Sequence, residues 1–285
     1  MSYRYEFLYP ESMDELFDTF LEAFADYAID ISQYRRETFV NRSIKNGVDF
    51  ESSVGLYDGE RMVGYTLIGI DSWKGEVAAY DIGTGITKPH RRKGLARGMF
   101  DHALPRLRDA GVKTFVLEVL QQNEPAIKAY EKVGFRITRA FDCFELPCEK
   151  TVERGAVSVV ELEREDIHLF EKELDWLPSW ENSISSIMRV PDELLVYGAV
   201  VDGAPRGAIV YYPALSWIML IAVEKAYRRR GIGLSLLRHL ANVLGGGAPV
   251  VRIVNIQSDD RGMTAFLEGA GFERFVGQYE MELAI

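Results

Sequence analysis

Two stretches of the chain share one pattern: an apolar run, then a basic turn carrying glycine, then apolar residues at helical spacing. In the first, Ala78 to Ile86 leads into Lys-Pro-His-Arg-Arg-Lys-Gly, after which Leu95, Met99, Ala103 and Leu107 recur one helical turn apart. The pattern predicts strand, turn and helix. In the second, Trp217 to Val223 leads through Arg228-Arg229-Arg230-Gly231-Ile232-Gly233 into another helix. Sliding the chain against itself by 137 residues puts Lys88 on Lys225, Arg91 on Arg228, Gly94 on Gly231, Ala96 on Gly233 and His102 on His239, and in the same register Gly134-Phe135 falls on Gly271-Phe272. An internal repeat of this kind predicts two domains, 1–148 and 156–285, joined by the polar, turn-prone Pro147 to Gly155.

The remaining pattern fills in each half. Leu16, Phe17, Phe20, Leu21, Phe24, Tyr27 and Ala28 predict an amphipathic helix from Glu11 to about Ser32, with Asp14, Asp18, Glu22, Asp26 and Asp30 along its other face. That acidic ladder reads either as a solvated face or as a lip over a binding site. Tyr34 to Asn46 predicts a second short helix. Strands are expected at Ser53 to Tyr57 and Met62 to Ile70 about an Asp58-Gly59 turn, then at Val77 to Thr87, Thr114 to Leu120 and Phe135 to Leu146. Between them, Glu124 to Val133 reads as a helix capped by Gly134, and Pro105 should kink the helix that contains it. In the second half the expectation is a helical region from Glu165 to Met188, a hairpin at Asp202-Gly203, strands at Trp217 to Val223, Val250 to Gln257 and Tyr279 to Leu283, and a helix from Gly262 to Gly269.

Composition changes this picture little: 285 residues, 47% hydrophobic and 27% charged, describe an ordinary globular chain. The net charge of −10 disfavours nucleic acid as a partner, and the two arginine-rich turns are too local to reverse it. Neither a signal-like core nor an apolar run near the ~18 residues of a membrane span is visible, which predicts a cytoplasmic protein with no membrane association. Cys143 and Cys148 read as reduced structural thiols. The four histidines lack metal-ligand spacing, so no metal is expected, and His102 and His239 read as helix-face packing residues. The sequence does not reveal the oligomeric state.

The chemistry begins at the turns. The first turn of a helix carries free N–H groups and the positive end of the macrodipole, so small residues such as Gly94 and Ala96 let an anion approach. Arg91-x-x-Gly94-x-Ala96 after a strand, with Leu117-Glu118-Val119, Asn123, Ala126, Tyr130 and Gly134-Phe135 at their spacings, resembles the GNAT superfamily of N-acetyltransferases in a tandem form. The resemblance implies an α/β fold of two GNAT-like domains, each a mixed central sheet flanked by helices. It implies acetyl-CoA as cosubstrate and a small-molecule amine, or the amino group of a peptide, as acceptor.

Carried onto this chain, the resemblance makes Ile86, Arg91, Arg92, Lys93, Gly94, Leu95 and Ala96, with Asn123, the coenzyme contacts of the first half. Arg228, Arg229, Arg230, Gly231, Ile232 and Gly233 are those of the second. Tyr130 takes the position of the acid that protonates the departing thiolate, set against a purely packing role in an apolar helix face. Glu118 and Asp81 are the candidate bases, one on each central strand, with Glu118 preferred. In register, Tyr130, Glu118 and Asn123 meet Leu267, Asn255 and Asp260, so the second half is expected to be degenerate in catalysis. The expected activity is acetyl transfer by direct attack in a ternary complex in the N-terminal domain; the rival is a non-catalytic coenzyme A or acyl-CoA binding module with a regulatory role.

Overall fold

The computed structural model describes residues 3–26, 31, 34–147, 157–245 and 250–285. Contacts gather the chain into two compact units, Met1–Arg139 with Tyr279–Ile285, and Ala140–Gln278. The first unit thus takes its last seven residues from the far end of the numbering. Cys148 and nearly all of the expected linker lie outside the described residues, as do Tyr27, Ala28, Asp30 and Ser32 of the expected first helix.

The first unit is built from β1 (Tyr3–Phe7), α1 (Met13–Ala23), α2 (Arg36–Lys45), β2 (Val54–Asp58), β3 (Arg61–Trp73), β4 (Glu76–Ile86), α3 (Leu95–Asp109), β5 (Thr114–Leu120) and α4 (Glu124–Val133). β6 (Arg136–Pro147) begins in this unit and β12 (Glu273–Ala284) ends in it, and the sheet order is β1-β2-β3-β4-β5-β12. The sheet is mixed: β1 to β4 pair antiparallel, β4 and β5 parallel. Helix α3 forms where the 3.6-residue pattern placed it and buries Leu95, Met99, Phe100, Ala103 and Leu107. Phe100, Phe115 and Phe135 meet edge to face at 5.4 to 5.7 Å beneath it. Pro105 does not end α3, which is assigned unbroken through it; Pro105 is exposed, so the helix bond it forfeits faces water. On β12, Glu280 is fully buried and takes a two-pronged bond from Arg139 at 2.7 and 2.5 Å.

The second unit repeats the plan with β7 (Ser158–Glu161), α5 (Ile184–Arg189), β8 (Leu195–Val201), β9 (Ala204–Tyr212), β10 (Trp217–Val223), α6 (Ile232–Leu244), β11 (Val250–Gln257) and α7 (Arg261–Gly269). Its sheet order is β6-β11-β10-β9-β8-β7, again with one parallel pair, β10 and β11, at its middle. Asp202 and Gly203 both take positive φ, the backbone that a two-residue hairpin between Val201 and Ala204 requires.

Two expectations are corrected. The helical region from Glu165 to Met188 is not one helix. It is a 3₁₀ segment (Arg164–Glu173), a 3₁₀ turn (Trp180–Asn182) and the short α5; Pro178 and the polar Asp175 interrupt what apolar spacing alone joined. The first helix ends at Ala23 instead of near Ser32. The short strands β1 and β7 were not anticipated: β1 alternates half-buried and exposed positions over only five residues, too brief for a period to register. Among the described residues no helix is long and apolar enough to cross a membrane. His102 packs 4.6 Å from the Phe7 ring and His239 4.5 Å from that of Tyr197.

Candidate active site

In each unit the two parallel strands start together and then part. The β4–β5 ladder covers Ala78 to Tyr80 and stops; the β10–β11 ladder covers Trp217 and Ile218 and stops. A bulge sits at the same place in both, at Ile82 opposite Leu67 and Ile68 in β4, and at Met219 in β10. The extra residue turns the strand away from its neighbour. Asp81 stands just past the end of the β4–β5 ladder.

Asp81 is 6% exposed. It accepts the Thr84 hydroxyl at 2.8 and 3.0 Å, and Thr84 lies 2.7 Å from the Thr66 hydroxyl. From α4, the Tyr130 hydroxyl donates to Asp81 Oδ2 at 3.3 Å. The Tyr130 ring meanwhile packs 5.9 Å from Phe100 and 5.8 Å from Phe135, so packing aims the hydroxyl and the two roles weighed for this residue coexist. Burial pushes the Asp81 carboxyl up to about 6; bonds from Thr84 and Tyr130, the Gly83 backbone and the Arg42 charge oppose that rise without cancelling it. Burial, and secondarily the Asp81 charge, also raises the Tyr65 hydroxyl. Glu118 is half-buried on β5, the strand beside β4. The structure therefore brings Tyr130 to Asp81, the carboxylate ranked second to Glu118 on the resemblance of Leu117-Glu118-Val119 to the family pattern. Thr84, which sequence reasoning did not single out, has no signal beyond a hydroxyl three residues from Asp81.

The basic turns have one backbone shape in both units. Arg92 and Gly94 take φ of 62° and 76°; Arg229 and Gly231 take 64° and 79°. Alternating left-handed residues ahead of a helix turn successive N–H groups toward a common point. Gly94 and Gly231 are the N-caps of α3 and α6, and no side chain caps either helix. By contrast, Asn123 caps α4 by accepting from Ala126 N–H at 3.3 Å, and Asp260 caps α7 by accepting from Met263 N–H at 2.8 Å. The helix starts at the two turns are therefore left open. A Cβ added at Gly94 or Gly231 would meet nothing within 4 Å. Space, unbonded donors and a helix dipole fit a pyrophosphate.

The other expected contacts fall around these turns. Leu95 and Ile232 are buried first-turn residues, and Ala96 is half-buried. Lys93 Nζ donates to the Tyr3 hydroxyl at 2.9 Å, and Arg230 lies 4.9 Å above the Tyr227 ring. Gly233 lies under Phe266, whose ring a Cβ would meet at 2.9 Å. Arg91 and Arg228 are tied inward: Arg91 Nε donates to the Ile86 carbonyl at 2.9 Å, and Arg228 Nε to the Val223 carbonyl at 3.0 Å.

In the second unit a cavity of about 880 Å³ opens at the parted strands, reaching from Arg228 and Gly231 past Met219 to Asn255 and Phe266. The repeat register that aligns the turns puts Ile218, Ile221 and Leu267 where the first unit has Asp81, Thr84 and Tyr130. Ile218 and Leu267 are fully buried. Asn255, in the place of Glu118, has φ of 60° and donates to the Ser179 hydroxyl at 3.0 Å. Among the described residues no cluster of three His, Cys, Asp or Glu could hold a metal.

Two successive α/β units, each with parted parallel strands over an uncapped helix start, make up a duplicated fold. The profile of the acetyltransferase (GNAT) family matches residues 8–135 and again 157–272, and the chain belongs to that family. A streptothricin acetyltransferase of Streptomyces lavendulae is 33% identical over 78 residues, which is 27% of this chain and 40% of that protein. The [ribosomal protein bS18]-alanine N-acetyltransferase of Escherichia coli K12 is 29% identical over 96 residues, 30% of this chain and 62% of that one. In fold, the chain is similar to a tandem GNAT protein from the clavulanic acid biosynthesis pathway, with a TM-score of 0.77 at 17% identity over 99% of this chain and 98% of that one. A GCN5-related N-acetyltransferase from Sphaerobacter thermophilus gives 0.74 at 14% over 99% and 95%.

Proposed function

We propose that the protein transfers an acetyl group from acetyl-CoA to a primary amine by direct attack in a ternary complex, and that the first unit carries the chemistry. The bond from Tyr130 to Asp81 at the mouth of the parted strands is the observation that carries this reading. The family supplies the general reaction; the pair supplies a route for protons.

Acetyl-CoA provides the activated acetyl group as a thioester, with Arg92 to Ala96 cradling its pyrophosphate. The acceptor reaches the site as free amine, having lost one proton to water. As its nitrogen bonds the acetyl carbon, it gives a second proton to Asp81, whose raised pKa makes it a usable base near neutrality. The Tyr130 hydroxyl gives its proton to the departing sulfur. Asp81 then returns its proton to the Tyr130 phenolate along the existing hydrogen bond, a phenolate being ordinarily a stronger base than a carboxylate. Amide and free thiol leave, and both side chains regain their starting states.

The acceptor is a small-molecule amine or a peptide amino group, kinds that the names of the two relatives above also span. The cavity of the second unit reaches its turn, which supports coenzyme binding there, while Ile218 and Leu267 deny it the proton route. Thiol release from acetyl-CoA with an amine panel tests the whole reading. Tyr130→Phe is expected to lower kcat by about 10² to 10⁴ and leave KM for acetyl-CoA within a few-fold. An unchanged kcat returns Tyr130 to packing alone, and binding of CoA with no turnover of any amine favours the regulatory module.

A further inference from the structure

We propose that Asp26 and Asp175 are positioning residues that latch the two coenzyme turns, each by neutralising and holding the leading arginine, so that Arg91 and Arg228 shape the turn and do not bind phosphate. This rests on the reading of the turns as coenzyme sites.

The latch occurs twice. Arg91 Nη2 donates to the Ala23 carbonyl at 2.7 Å and its two terminal nitrogens reach the Asp26 carboxylate at 2.8 and 3.0 Å, with Lys88 Nζ 3.8 Å from the same group. Arg228 Nη2 donates to the Glu173 carbonyl at 2.6 Å and Nη1 to Asp175 at 2.6 Å, with Lys225 Nζ 3.8 Å away. Together with the bond to the strand carbonyl five residues back, Arg91 commits four of its five N–H groups to protein. The register that aligns the turns does not align the carboxylates: Asp26 falls on Glu163. Different positions in the two halves have supplied the same acid to the same guanidinium.

Two consequences follow for the turn. A guanidinium paired with a carboxylate contributes little net field to an incoming dianion. The arginine instead joins the end of the strand to the segment after α1 or after the 3₁₀ segment. That closes the turn on both sides and holds the next residue, Arg92 or Arg229, at the positive φ that an unrestrained arginine avoids. The contact orders the cradle before coenzyme arrives.

The two roles for arginine predict opposite signs. If Arg91 were a phosphate ligand restrained by Asp26, Asp26→Asn would free it and tighten CoA binding. If Asp26 latches the turn, Asp26→Asn weakens it. The test is calorimetric titration of CoA into the full chain carrying Gly231→Glu, so that the first turn is read alone. The latch predicts a Kd three- to tenfold weaker in Asp26→Asn, roughly, with a similar loss in Arg91→Gln and no further loss in the double variant. It predicts partial recovery in Asp26→Glu and a salt dependence of Kd that Arg91→Gln leaves alone. Thermal melts confirm that each variant is folded, and Asp175→Asn in a Gly94→Glu chain repeats the test at the other turn. An unchanged or tighter Kd in Asp26→Asn overturns the latch while leaving the coenzyme site standing. A wild-type chain that binds no CoA overturns the coenzyme reading and takes the latch with it.

Discussion

A carboxyl with its pKa raised to about 6 inside the fold, against an ordinary value of 3.8, ties stability to pH at a single side chain. The raised value means that the folded state prefers Asp81 protonated. That preference stabilises the fold fully below about pH 4 and is lost as pH rises through 6. Two pKa units correspond to about 3 kcal/mol. Asp81→Asn keeps an acceptor for Tyr130 and Thr84 and has no charge to bury. The variant should therefore be more stable than wild type by up to about 3 kcal/mol at pH 8, with the gap closing by pH 4, while acetyl transfer falls steeply. Urea melts at the two pH values check the first half; equal stabilities at pH 8 would mean that Asp81 is not held off its ordinary pKa. Because the bond from Tyr130 lowers the Asp81 pKa, Tyr130→Phe should also move any residual pH–rate limb upward from about 6. Gly94→Glu acts at another site: it places a carboxylate where phosphate would sit and forces a side chain onto a φ of 76°, so CoA affinity at that turn should fall at least about tenfold by titration.

At the scale of elements, strands and helices with a strong period were legible in the sequence. The bounds of α4 and β5, and of β10 and β11, coincide with the expectation because Gly134, Gly111 and the apolar runs punctuate them. Legibility failed where short 3₁₀ turns replace a helix between Arg164 and Asn182, since apolar spacing there reflects burial of Ile167 and Phe170 and not a continuing period. At the site, the turn was visible from spacing, and Tyr130 from the family resemblance. The partnership of Tyr130 with Asp81 was not, because it depends on a bulge at Ile82 that no residue type announces. The acidic face of α1 illustrates the same limit. Neither reading of it anticipated pairing, yet Asp14 pairs with Arg36, Glu22 with Arg61 and Asp26 with Arg91. Asp30 lies outside the described residues. Strand β12 carries its own prediction. Glu280→Ala leaves Arg139, 16% exposed, facing a buried gap where its carboxylate partner stood, a change that costs about 3 kcal/mol in comparable buried pairs. The urea midpoint of the full chain should drop accordingly, and an unaltered midpoint would make the pair an ornament of the strand.

For the whole molecule, duplication has produced two units with one turn geometry and two different interiors behind it. The expected functional division is checked with a pair of full-length proteins assayed on one amine: Tyr130→Phe should be nearly inactive, and Gly231→Glu should retain most of the turnover. The reverse outcome would move the chemistry to the second unit. The make-up of the first unit also bears on how the protein comes into being. Residues 279–285 belong to it, so its sheet lacks an edge until some 140 further residues beyond Arg139 have been made. At ribosomal rates of about 5 to 20 residues per second, that is a wait of roughly seven to thirty seconds with β5 uncovered on one side. During it the nascent chain offers an unpaired strand edge of the kind that chaperones bind and that neighbouring polysomal chains can join. Slow or paused translation past Arg139 should therefore lower the soluble yield more than an equal delay before it.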